Sequence, residues 1–109
     1  MRQNIINSLS RLFSGCNDVI KVTYCTPDSH DVMKFAMLGH GIREEDGLIT
    51  IYDDKDSHSM QKTVNIDPSI VGSVTYSDGS KDGLGIYEKC MVIGMKDESR
   101  IEISTMGMG

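Results

Sequence analysis

The chain has no tryptophan, only two phenylalanines and two prolines, and no apolar run approaching the length of a membrane span. A bilayer-crossing helix takes roughly 20 apolar residues. The first apolar stretch, Ile5 to Phe13, is broken by Asn7, Ser8, Ser10 and Arg11 and does not read as a secretory leader. The expectation is a cytoplasmic protein with no membrane contact. Cys16, Cys25 and Cys90 are odd in number, widely spaced and without a C-x-x-C pair, which argues against a disulfide framework and for free thiols in a reducing compartment. Base is in short supply too: 11 Lys and Arg face 16 Asp and Glu, giving a net charge of −5. That balance argues against a protein whose affinity comes from neutralising phosphates, and fits one that avoids nucleic acid or one that docks on a basic partner.

The usual signatures of chemistry are missing as well. His30, His40 and His58 lie apart without metal-ligand spacing. Asp54, Asp56 and His58 follow the opening of a calcium loop, but Ser59 stands where glycine is required. No G-x-S-x-G turn is present, and Gly79, Gly83 and Gly85 lack the strand-to-helix setting of a phosphate cradle. Cys25 and Cys90 fall in strand-like apolar surroundings, as small buried hydrophobes, while Cys16 follows the first helix in a more exposed place. No cofactor, metal or enzymatic activity is expected.

What is present fits one small domain spanning residues 1–109, with 39% apolar and 25% charged residues. Eight methionines are a high count and read mainly as core filling, since most sit inside apolar runs. Ile5, Ile6, Leu9, Leu12 and Phe13 make one helical stripe, with Asn4 as a cap and Gly15 as the stop. So short a helix is marginal alone and must dock, within its own subunit or on another.

From Val19 onward the period changes to that of strands. Val19–Thr26, Asp31–Leu38, Leu48–Tyr52, Thr63–Ile66 and Ile70–Tyr76 read as strands, with Gly72 as a bulge or a point of close approach. Turn residues separate them: Thr26 to His30, Gly39-His40-Gly41, Asp46-Gly47, the polar run Asp53–Ser59 and Asp67-Pro68. Ser77–Gly85 reads as the longest loop. Ile86–Lys96 and Arg100–Met106 flank Asp97-Glu98-Ser99 as a β-hairpin, and Met106 to Gly109 read as frayed. The predicted fold is mainly β (α+β): one N-terminal helix, then a six- to seven-stranded antiparallel small barrel or sandwich ending in a hairpin. In layout alone this resembles the Sm-like and SH3-like small barrels; no family motif accompanies the likeness.

The densest run of one charge sign supplies the candidate site. Within residues 42–58, Glu44, Glu45, Asp46, Asp53, Asp54 and Asp56 oppose only Arg43 and Lys55, whereas the first 24 residues lean basic with Arg2, Arg11 and Lys21 against Asp18. The leading expectation is a non-enzymatic protein-binding domain whose acidic segment meets a basic partner surface, in the manner of phage- or plasmid-type inhibitors. A solvated rim that only confers solubility is the plainer reading of the same residues. Two alternatives are a homo-oligomeric scaffold pairing through strand edges, and a single-stranded nucleic-acid binder using Tyr24, Tyr52, Tyr76 and Tyr87.

Overall fold

In a computed structural model the described residues are 1–13, 19–28, 30–38, 41–52, 63–79 and 86–108. Helix α1 (Arg2–Phe13) buries Ile5, Leu9 and Leu12 completely. Full burial of such side chains is worth roughly 1.5–3 kcal/mol each, which holds a helix too short to persist alone. The helix starts earlier than the stripe implies. Ile5 N–H donates to the Met1 carbonyl at 3.2 Å, which places Asn4 inside the first turn and not at the cap. Arg11 in the last turn complements the negative end of the helix dipole. The predicted stop, Gly15, lies outside the described residues.

Eight strands follow: β1 (Val19–Cys25), β2 (Asp31–Leu38), β3 (Gly41–Glu45), β4 (Leu48–Tyr52), β5 (Thr63–Ile66), β6 (Val71–Asp78), β7 (Ile86–Met95) and β8 (Arg100–Met108). A 3-10 turn, Pro68–Ile70, links β5 to β6. They build a five-stranded antiparallel sheet, ordered β2-β1-β8-β7-β6, and a three-stranded one, ordered β3-β4-β5. The sheets do not close on each other, so of the two predicted forms the sandwich is the one adopted. The last strand inserts between β1 and β7, with Val22 opposite Ile103 and Met91 opposite Ile103 on its other side.

One core joins the pieces. Ile20, Val22, Met37, Met91, Ile93 and Ile103 of the larger sheet meet Ile49, Ile51 and Ile66 of the smaller, with Ile5, Leu9 and Leu12 laid against them. Thr50 is buried on the reverse face of β4, where its hydroxyl donates to Asn65 Oδ1 at 2.8 Å across the β4–β5 pair. Among the described residues no helix is long and apolar enough to cross a membrane.

Several boundaries move. Residues 41–45, to which the sequence pattern assigns no strand, form β3, because Asp46-Gly47 folds them back on β4 as a hairpin. Ile70 closes the 3-10 turn instead of opening a strand, and Ser77 and Asp78 extend β6 where a loop was expected. Met106 to Met108, expected to fray, continue β8 in register with Glu88, Tyr87 and Ile86. The Gly72 bulge forms as expected, at the register shift between Val71 and Ser73.

Candidate functional site

The acidic segment divides at the limit of what is described. Asp53, Asp54 and Asp56 lie outside the described residues. Glu44, Glu45 and Asp46 stand together at the tip of the β3–β4 hairpin, all exposed. Asp46 (φ 55°) and Gly47 (φ 79°) are both left-handed, the geometry of a two-residue turn whose twist matches that of its strands. The tip is thereby held in a fixed place. Arg2 of α1 grips it from below, with Nη1 on Glu44 Oε1 at 2.9 Å and Nη2 on the Gly47 carbonyl at 3.0 Å. Arg43 pairs with Glu45 at 3.4 Å. Both pairs are solvent-exposed and worth about 0.2–1 kcal/mol each, so they orient the carboxylates more than they stabilise the fold.

Strand pairing places three other turns at the same end of the sandwich. Ile66 lies opposite Ile49, next to the hairpin tip, so the 3-10 turn Pro68–Ile70 emerges there. Lys96 N–H donates to the Ile70 carbonyl at 2.8 Å, which ties that turn to the β7–β8 connection. Cys25 opposite Arg100 brings the β1–β2 turn alongside, closed by Thr26 N–H on the His30 carbonyl at 3.0 Å and by His30 N–H on Thr26 Oγ1 at 3.2 Å.

This end is both acidic and apolar. Asp67 accepts from Ser69 N–H at 2.9 Å and from the Ser69 hydroxyl at 2.8 Å, and Asp97 accepts from the same two groups of Ser99. The serine hydroxyls, then the serine backbone N–H groups, hold both carboxyls below the usual aspartate range. Between these turns Tyr24, Ile70, Met95, Lys96, Asp97 and Ser99 line a cavity of about 320 Å³. Tyr24 (37% exposed), Val32 (58%), Met33 (57%) and Ile70 (52%) are four of the five large apolar side chains left exposed among the described residues. Tyr24 and Met33 are direct cross-strand partners, and Tyr24 and Ile70 line the cavity together, so these three form one neighbourhood. The gathering of exposed apolar side chains around a cavity makes this end the candidate site.

A second cluster fastens the other end of α1. Arg11 pairs with Asp78 at 3.2 Å and lies over the Tyr76 ring at 4.4 Å, while the Tyr76 hydroxyl donates to Asp78 at 2.7 Å. The buried Lys89 sends its ammonium to the Arg11 carbonyl at 3.3 Å, satisfying a helix-terminal acceptor. The Tyr76 hydroxyl, aided by Arg11, holds Asp78 below the usual range. These contacts anchor the helix to the sheet.

The tyrosines are not gathered on one platform. Tyr24 is at the apolar end, and Tyr76 is under Arg11. Tyr52 lies on the face of β4 opposite Ile49 and Ile51, with Arg43 at 5.1 Å from its ring centre. Tyr87 is in β7, and its side chain is outside the described residues. Of the cysteines, Cys25 is fully buried, whereas Cys90, expected buried, is half-exposed because it faces away from the core side carrying Met91. Burial, then the charges of Glu102 and Glu88, push its thiol pKa up. Cys16 lies outside the described residues. Among the described residues no three His, Cys, Asp or Glu side chains converge to hold a metal ion.

The apolar cavity was not anticipated from the sequence. Its one local sign is the strand Asp31–Leu38, which carries apolar residues on both faces at Val32 and Met33, more than one buried face requires. Comparison with known proteins gives no match among family models, curated proteins or solved structures.

Proposed function

We propose that this chain is a non-enzymatic protein-binding domain that docks its acidic end on a basic surface of a partner protein. One observation supports the reading above the others. The end that carries Glu44, Glu45 and Asp46 also carries Asp67, Asp97 and Glu98, so carboxylates far apart in the chain share one surface with the exposed apolar cluster. Unlike charge steers the encounter, and an apolar centre supplies the affinity that surface charge alone does not. Asp53, Asp54 and Asp56 lie outside the described residues, and the chain reaches them from Tyr52, paired with Gly41 at the end of β4 away from the tip, so the reading rests on the other carboxylates. A partner whose basic surface normally holds nucleic acid would be inhibited by such docking.

The test is affinity capture with the whole chain from its native host, followed by reconstitution of the complex from purified components. A protein with a basic patch, bound equally well after nuclease treatment, is expected. Capture that disappears with nuclease, together with direct binding of single-stranded RNA that Tyr→Ala substitutions abolish, would contradict it.

A further inference from the structure

The cavity at the acidic end calls for an occupant of definite chemistry. Its volume, about 320 Å³, sits at the low end of the roughly 300–1,000 Å³ of ligand pockets, room for one large side chain and not for a folded element. Its interior is supplied by Tyr24, Ile70 and the half-buried Met95. The polar groups at its edge are largely engaged already: Asp97 with Ser99, the Met95 N–H with the Ser99 carbonyl, and the Lys96 N–H with the Ile70 carbonyl. An occupant therefore gains little by bringing a hydrogen-bonding group inside. Around this apolar centre the turns present Asp28, Asp67, Asp97 and Glu98 against Lys96, while Arg100 is paired with Glu102 at 3.1 Å.

We propose that the Tyr24–Ile70–Met95 cavity receives a single apolar side chain from a basic protein segment, whose flanking Lys or Arg residues meet the surrounding carboxylates. The proposal rests on the protein-binding reading and names the anchor within it. Charge excludes the other occupants of an exposed apolar site. A second copy of the chain, meeting this end symmetrically, would set the same carboxylates against each other. Anionic lipid and nucleic acid meet the same repulsion. Polarizable Met and amphipathic Tyr suit an adaptable anchor site, and an anchor surrounded by steering charge is the usual anatomy of a contact centre.

Methyl-labelled whole protein (Ile and Met) titrated with three synthetic peptides of equal length tests this. The first carries a central Leu between Lys and Arg residues, the second a central Gly in the same basic frame, and the third a central Leu between Glu residues. The first is expected to shift the Ile70 and Met95 methyl resonances saturably. The second should bind about tenfold more weakly, and the third should not bind. Ile70→Ser, at an exposed position that leaves the core intact, should weaken the first peptide about tenfold. Equal binding of the Leu and Gly peptides, or indifference to Ile70→Ser while salt still weakens binding, overturns the cavity and leaves the acidic surface standing. Failure of both basic peptides overturns the proposed function with it. Methyl shifts that grow with protein concentration alone, or that a single-stranded oligothymidylate of similar length reproduces, overturn the assignment in favour of a second copy or nucleic acid.

Discussion

At the scale of residues, two positions with left-handed backbone make opposite expectations. Gly47 (φ 79°) has open space where a Cβ would stand, so its cost on substitution is conformational only. Gly47→Ala should destabilise the fold by about 1–2 kcal/mol in chemical denaturation. Glu98 (φ 74°) occupies the left-handed place that ends the three-residue loop between Met95 and Ser99, where glycine is favoured. Glu98→Gly should stabilise by up to about 1 kcal/mol in the same assay. The first position was legible as an Asp-Gly turn. The constraint on Gly41 was not: a Cβ there would fall on the ring of Tyr52, a neighbour set by hairpin register and not by local sequence. The thiols give a third expectation. Cys25, fully buried, should resist alkylation in the native state, and Cys90, its pKa raised, should react slowly at neutral pH and faster as the pH climbs. Rapid labelling of Cys90 at neutral pH by mass spectrometry would go against that.

At the scale of elements, the helix was legible because its stripe has one period, and the strands because β-branched runs are bounded by Pro27, Asp46-Gly47 and Pro68. Leu9 is fully buried in the core shared by both sheets, which places the helix stripe within its own subunit. Leu9→Ala should cost about 2–5 kcal/mol without changing the mass in solution, checked by thermal melts beside light scattering. β3 escaped the sequence reading because Gly41-Ile42-Arg43-Glu44-Glu45 has a single fully apolar side chain and reads as connection; only pairing with β4 makes it a strand. The clasp on the other end of α1 carries a pH expectation. Asp78 in the folded protein titrates below the unfolded value of 3.8, so the stability it adds is complete above that value and is lost as the pH falls through the folded pKa. Asp67 and Asp97 act in the same direction. Asp78→Asn should flatten the fall of the melting temperature in that acid range, and an unchanged slope would show that the clasp is not coupled to folding.

At the scale of the whole molecule, the acidic segment was legible as a run of like charge, but its surroundings were not. The sequence places Asp67 about 20 residues from Glu45 and Asp97 about 50, and no local rule brings them to one end. That depends on β8 entering between β1 and β7 and on the 3-10 turn bonding to Lys96, both long-range events. The same events open the cavity beside Tyr24. Internal pairing of Glu44 with Arg2 and of Glu45 with Arg43 lowers the field of the hairpin below what six acids in sequence suggest. The neighbouring turns restore it.

The most direct measurement of the central claim is the association rate with the purified partner, followed by stopped flow across a range of salt. It compares wild type with the chain in which Glu44, Glu45 and Glu98, all exposed at the acidic end, are reversed to Lys. Exposed charges of this kind contribute little to stability, so the melting temperature should move only slightly. The expected result is an association rate that falls as salt rises in the wild type, and that is slower and less salt-sensitive in the reversed chain. A reversed chain that associates as fast as wild type, or a wild-type rate indifferent to salt, would contradict the account.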